Sequence, residues 1–274
     1  MSEISPALYR AGDGEPLVLV HGFTATWRCW HPVLADLVAQ FDVIAPTLHG
    51  HDGGPELPAG AAHTIPGAAD HLETLLDELG VGTAHFAGNS MGGALSLELA
   101  KRGRARSVVA ISPGGGWEAS DRAEAQRIIR WFTRNQRLAR ATETRMPRLM
   151  RRPGTRRVAL RDVMTRGDQV PAEEAIALVR SSTRCSVVDD VFATIRSGEA
   201  LLTDLDRIAC PVLVAWGDRD RILPMARHSA RFQREIPGVE FRVLPGVGHT
   251  PMWDAPGLIA GLIAQFARRV PVAG

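Results

Sequence analysis

Apolar and polar positions follow two rhythms along this chain. Short, largely apolar stretches occur at 17–21 (LVLVH), 41–46 (FDVIAP), 84–88 (AHFAG), 107–112 (SVVAIS), 211–216 (PVLVAW) and 239–244 (VEFRVL). Runs of this length, bounded by turn residues, predict strands buried on both faces. Between them, apolar residues recur at helical spacing over 31–40, 66–79, 91–102, about 224–236 and 256–269. In the second of these the apolar stripe is Ala69, Leu72, Leu75, Leu76 and Leu79, and Gly80 is its stop signal. For the last, Asp254 is the expected N-cap, with Pro256 in the first turn. The stretch 46–60, PTLHGHDGGPELPAG, is a loop by its glycine and proline content. Strands alternating with helices predict an α/β fold, a mostly parallel central sheet with helices on both faces. In such a sheet the chemistry gathers just beyond the carboxyl ends of the strands.

The alternation stops between 114 and 205, where the pattern is helical throughout. This predicts a helical cap, residues 114–205, inserted into a core formed by 1–113 and 206–274. The length of 274 residues suits one core with an insertion better than two independent domains. The start of the chain lacks an apolar signal segment, and no run reaches the roughly 18 apolar residues of a membrane span. A cytoplasmic protein without integral membrane contact is therefore expected. Three widely spaced cysteines, Cys29, Cys185 and Cys210, fit neither a disulfide framework nor a zinc site.

Charge adds something the average conceals. The formal net charge is only +2, yet residues 122–166 hold fourteen arginines against Glu124, Glu143 and Asp162. That segment carries a surplus of eleven positive charges, which leaves the remainder at −9. Ile128, Ile129, Trp131, Phe132 and Leu138 interleave with Arg127, Arg130, Arg134 and Arg137. The plainest reading is an amphipathic helix with its apolar face over a pocket and its arginines in water or paired with acids. The surplus also suits an anionic small-molecule substrate or a carrier-bound acyl group, and less well a membrane surface. No nucleic-acid module is recognisable, so no nucleic-acid partner is expected.

The candidate chemistry centres on Gly88-Asn89-Ser90-Met91-Gly92, a G-x-S-x-G run where a predicted strand meets a predicted helix. Small residues two positions either side of the serine let strand and helix approach closely around a strained turn. The hydroxyl then projects beside a helix N-terminus, which favours developing negative charge. A serine is a weak nucleophile and needs a base. Of nine histidines, His249 follows a strand in the loop PGVGHTPMWDAP and is the candidate. His71 and His85 sit within predicted elements and read as structural, His228 as a surface helix residue, and His21 as shaping its turn. His49 and His51 lie at the carboxyl end of a strand and are candidates for touching substrate. The base needs an acid to hold its tautomer, and GDRDRILP offers Asp218 and Asp220. Asp220 is preferred, because Asp218 is closer to the strand end and placed to bond turn backbone.

The order Ser90, Asp220, His249, with HGF at 21–23, GNSMGG at 88–93, WGDRDRILP at 216–224 and GHTPMWDAP at 248–256, resembles the α/β-hydrolase superfamily. The resemblance covers 8–113 and 206–270. It implies a Ser-His-Asp triad, an oxyanion hole made by the backbone N–H groups of Phe23 and Met91, an acyl-enzyme intermediate, and no metal or organic cofactor. The loop at 47–53 departs from the D-x-x-G-x-G usual in the family. Serine at the elbow, rather than aspartate, argues against epoxide-hydrolase and haloalkane-dehalogenase chemistry. Asn89 is similar to the carbon–carbon hydrolases of ring-cleavage products, but Thr250 stands where those carry an aromatic residue. Trp117, Trp131, Phe132 and Trp253 are the aromatic candidates for a substrate pocket. The resulting expectation is a serine hydrolase of an ester, thioester or lactone. Carbon–carbon bond hydrolysis and a hydrolase-fold ligand receptor are the alternatives.

Overall fold

The structure is a computed structural model and describes residues 3–270, except 59, 62, 63 and 119. Eight strands form one sheet: β1 (Glu3–Ile4), β2 (Leu8–Ala11), β3 (Glu15–Val20), β4 (Phe41–Pro46), β5 (Ala84–Asn89), β6 (Ala105–Ile111), β7 (Val212–Gly217) and β8 (Glu240–Leu244). Their spatial order is β1-β2-β4-β3-β5-β6-β7-β8. The first two pairings, β1 with β2 and β2 with β4, are antiparallel, and every other pairing is parallel. The six apolar runs of the sequence supply the six parallel strands. The antiparallel edge has no counterpart among those runs, because β1 and β2 are short and mostly half-exposed and so carry no continuous apolar stretch.

Helices cover both faces. α1 (His31–Val38), α2 (Ile65–Glu78) and α3 (Met91–Lys101) follow the early strands. Between β6 and β7 come α4 (Arg122–Thr142), α5 (Met146–Met150), α6 (Pro153–Leu160), α7 (Ala172–Arg184) and α8 (Val188–Ser197). After β7 the periodicity at 224–236 is realised as two short helices, α9 (Met225–His228) and α10 (Ala230–Glu235), which meet at Ser229. α11 (Pro251–Asp254) and α12 (Pro256–Ala267) complete the chain. Among the described residues, no helix is long and apolar enough to cross a membrane.

Two apolar layers sandwich the sheet. Val18, Val20, Phe86, Val108, Ala110 and Val214 point toward α2 and α3 and also meet Trp117, Ile128 and Phe192. Leu17, Leu19, Ala87, Val109, Ile111 and Leu213 point the other way, toward α1 and α12. Alternate residues of one strand thus enter opposite layers, which is why these strands read as largely apolar stretches. A third, smaller cluster joins Met146, Met150, Leu160, Met164, Val170 and Ala175, giving the inserted helices apolar contacts of their own.

Candidate active site

Ser90 lies between β5 and α3 with φ 58° and ψ −119°, a conformation costly for any side-chain-bearing residue. Glycine makes the surrounding approach feasible. A Cβ on Gly88 would lie 2.1 Å from the Gly92 carbonyl oxygen, and one on Gly92 would lie 2.1 Å from that of Val20. Parallel pairing sets Val20 beside Gly88, and Ile111 beside Asn89. The chain leaving β3 therefore passes the serine, and Gly22 packs against the Ser90 Cβ. The Ser90 amide donates to Ile111 O at 2.9 Å, which anchors the turn to β6.

Asp220 and His249 arrive from the next two strands. The His249 Nδ1 lies 2.7 Å from Asp220 Oδ2, and both residues are buried. The other carboxylate oxygen, Oδ1, accepts the amides of Ile222 and Leu223, each at 2.9 Å. Asp218 braces the backbone instead, its carboxylate accepting Gly246 N–H at 2.7 Å across the β7 and β8 turns. Ser90 and His249 line one hollow of about 230 Å³, together with Phe23, Asn89, Trp131, Phe132, Asp162 and Met164. A second, smaller and more apolar hollow also reaches Ser90 and is lined by Met91, Trp117, Ile128, Val191 and Ile195. Ser90, Phe23, Phe132 and Ile222 belong to both, so the serine stands where the two meet. Phe23 and Met91, whose amides the sequence nominates as oxyanion donors, flank it there. Cys29 lines the larger hollow too, but burial pushes its thiol far up, so it stays protonated and is a poor rival nucleophile.

The two loop histidines are placed elsewhere. His49 stacks on His71 at 4.2 Å and lines a separate hollow beside β2 and α2, so it does not share a wall with Ser90. Its charged form is disfavoured by burial and by His71, and its pKa is lowered. His51 is buried, its ring 4.9 Å from His21 and 6.3 Å edge-on from Phe23, so it backs the site rather than lining either hollow. His21 shapes its turn: its Nε2 accepts Leu48 N–H at 3.0 Å, leaving Nδ1–H to donate to Gly22 O at 2.8 Å. The expectation of a solvated His228 is incorrect. That ring is fully buried and bonds Glu124 at 2.8 Å, because α4 folds back across α9.

Asp254 is a second correction. It is not the cap of α12, whose N-cap residue is Ala255, without a side-chain bond. Its buried carboxylate instead accepts the amides of Gly248 (2.7 Å), Thr165 (2.9 Å) and Arg166 (2.8 Å). With Thr250 N–H donating to Val163 O at 2.8 Å, the His249 loop is fastened to residues 163–166. The acid loop is fastened to α4 in turn. Arg127 donates to Glu124 and to Ile222 O, and Glu124 also meets Arg227 and His228. Burial pushes the Glu124 carboxyl up, but the Arg127 and His228 hydrogen bonds outweigh it and hold it down at about 2. Asn89, noticed in the sequence only for its resemblance, is a further tie. Its amide donates to His249 O at 2.8 Å and Ile111 O at 3.2 Å. The Arg127–Glu124 pair is local, but the partners that tie it to the Asp220 loop and α9, and those that tie Asp254 to 165–166, lie 88 to 104 residues away, where no local pattern marks them.

A sequence model described as "Alpha/beta hydrolase family" matches residues 17–262. Among characterised relatives, the epoxide hydrolase EphH of Mycobacterium tuberculosis is 36% identical over 201 residues, covering 72% of this chain and 92% of that protein. The dihydrolipoyllysine-residue acetyltransferase component of the acetoin cleaving system of Pseudomonas putida is 31% identical over 264 residues. That match covers 93% of this chain, which spans 64% of the relative's length. Among solved structures, a thermophilic esterase from Thermogutta terrifontis superposes with a TM-score of 0.74 at 24% identity, over 97% of this chain and 94% of that one. At that identity the likeness speaks for the fold.

Proposed function

Starting from the chain's membership in the alpha/beta hydrolase family, we propose that it is a serine hydrolase of ester, thioester or lactone bonds. Ser90 is the nucleophile, His249 the base and Asp220 the acid partner. The observation that carries this reading is the 2.7 Å contact between His249 Nδ1 and Asp220, with Ser90 on the wall of the same hollow. The carboxylate accepts Nδ1–H and so leaves Nε2 unprotonated, the tautomer a general base needs. His249 Nε2 takes the Ser90 proton as Oγ adds to the carbonyl carbon. The oxyanion is met by the amides of Phe23 and Met91, each supplying about 3 kcal/mol of transition-state stabilisation. His249 then gives its proton to the departing oxygen or sulfur, and the acyl-enzyme forms. Water, deprotonated by the same ring, releases the acid. Residues 114–205 act as a cap over these groups. The leaving group needs the His249 proton, so it occupies the larger hollow, and the acyl chain takes the apolar one.

Acyl chemistry is preferred to epoxide opening for a chemical reason. A serine that opened an epoxide would become an ether, with no carbonyl for water to attack, and turnover would end after one event. An acyl-serine is an ester and can be hydrolysed. The test is steady-state hydrolysis of p-nitrophenyl acetate, butanoate and octanoate by wild type and Ser90→Ala. Turnover by wild type and a loss of at least about a thousandfold in the variant are expected, since removing the nucleophile of a triad costs that much or more. Comparable rates in both proteins would refute the nucleophile. A folded wild type inert on all three esters but active on a vinylogous 1,5-diketone acid would move the reaction to carbon–carbon cleavage.

A further inference from the structure

A further hollow adjoins the one shared by Ser90 and His249. It measures about 400 Å³ and is lined by Arg157, Arg161, Met164, Thr165, Arg219, Arg221 and Gly246. Arg157 and Arg161 stand at the end of α6, whereas Arg219 and Arg221 flank Asp220 on the loop after β7. Two segments remote in sequence thus bring four guanidinium groups around one concavity. Four like charges lining one concavity repel one another, a cost that an anion placed among them would relieve.

The neighbouring acids offset this charge only in part. Among the described residues, Arg161 and Arg221 approach Asp162 only to 3.8 and 4.0 Å, and Arg219 approaches Asp218 only to 3.8 Å. These separations lie beyond hydrogen-bond distance. Both carboxylates are also engaged elsewhere: Asp162 accepts the Trp131 indole N–H at 3.0 Å, and Asp218 accepts Gly246 N–H. Four cations against two committed anions leave the concavity positive. Other arginines of the segment contrast with these. Arg156, for example, is buried and spends its donors on Met150 O and Asp168 O.

Position links this concavity to the chemistry. Met164 lines both it and the hollow of Ser90 and His249. Asp162 lines the latter and is the residue that Arg161 and Arg221 approach. The two spaces therefore meet at Met164, on the side that receives the leaving group.

We propose that the concavity of Arg157, Arg161, Arg219 and Arg221 is an anion subsite for a phosphate-bearing leaving group of the substrate. The inference rests on the serine-hydrolase reading for the side of the cleaved bond, but not for the anion site itself. Guanidinium forks match phosphate oxygens in pairs, and four forks exceed what one carboxylate can engage. The space is also ample for more than one phosphate. The substrate class is then an ester or thioester with an apolar acyl group and a phosphorylated carrier.

The experiment has two arms. Inorganic pyrophosphate is titrated calorimetrically into wild type, Ser90→Ala and an Arg157→Gln/Arg161→Gln double variant. Binding to the first two and at least about tenfold weaker binding to the third are expected, as truncating charged partners of a bound anion costs that or more. Equal binding by all three, or none, overturns the subsite whatever the esterase assays show. In the second arm, kcat/KM is measured for butanoyl coenzyme A and for p-nitrophenyl butanoate. The double variant should lose about tenfold on the phosphorylated thioester and stay within about twofold on the neutral ester. Pyrophosphate should compete with the thioester alone. Pyrophosphate that binds at the arginines without competing would make the anion a free effector and overturn the substrate assignment. If neither ester is turned over, the hydrolase reading falls, and the titration in Ser90→Ala still decides the anion site.

Discussion

Exchanging Asp254 for asparagine, and separately for alanine, probes how His249, the proposed base, is held in place. The carboxylate is almost fully buried and accepts three backbone amides. The amide of Gly248, itself buried, sits next to His249. Those of Thr165 and Arg166 belong to partly exposed residues, which water can reach. Alanine strands all three donors. The sealed one costs about 1–3 kcal/mol, and the two that water can rescue cost about 1 kcal/mol each, so the sum is about 3–5 kcal/mol. Asparagine retains one oxygen for Thr165 and Arg166 but turns its NH2 toward Gly248 N–H, a loss of about 2 kcal/mol. At about 2–4 °C per kcal/mol for a chain of this size, melting temperature should fall about 4–8 °C for asparagine and about 6–20 °C for alanine. Activity should fall further than stability explains, because a loosened Gly248 lets His249 drift from Asp220. Differential scanning calorimetry and p-nitrophenyl butanoate kinetics, both well below the melting transition, read the two effects. An Asp254→Asn protein that melts within about 1 °C of wild type, or Asp254→Ala more stable than Asp254→Asn, would refute the argument.

Two other outcomes are expected. Asp220→Asn should lower kcat by about a thousandfold or more through the wrong histidine tautomer, while Asp218→Asn should leave kcat within about tenfold and cost stability through Gly246; the reverse ranking in ester kinetics would reassign the acid. Acidification should destabilise the fold from about pH 6.5 downward. Burial is the leading cause that lowers the pKa of His49, His85 and His228, so the folded protein keeps these rings neutral where the unfolded chain takes up protons. Their contribution is complete above the unfolded value and is lost as pH falls toward the depressed ones. Glu124, held at about 2, adds a loss that begins as pH falls through the ordinary carboxylate range and continues down to about 2. A melting temperature that is flat or rising between pH 8 and 5 would contradict this.

The inner parallel strands are legible in the sequence because burial on both faces leaves few polar positions to interrupt a run, whereas β8, at the sheet edge, is mostly exposed and keeps Glu240 and Arg242. The elbow is legible because steric crowding there admits few residues besides glycine. What escapes is of two kinds. The β1–β2 edge is half-solvated and leaves no periodic trace. Glu124 and His228 are 104 residues apart, and Asp254 and Thr165 are 89 apart. A lone acid cannot announce a partner at that distance, so Asp254 reads as a helix cap, the commonest local use of an acid before a proline. His49 and His51 show a related gap: a glycine-rich loop tells that the chain turns, but not which way its side chains face.

The ties from 163–166 to the His249 loop, and from Arg127 to the Asp220 loop, bear on how this architecture can diversify. An insertion that merely covered a site could be exchanged wholesale between relatives, changing substrate range at no cost to the reaction. Here exchanging the helices between β6 and β7 would take with it the anchors of the Asp220 and His249 loops, the acid and base of the proposed reaction. On the proposed reading, drift toward new substrates is easier by single side chains inside the existing helices than by exchange of the whole segment. Selection for what the protein accepts and selection for whether it works at all fall on the same stretch of chain.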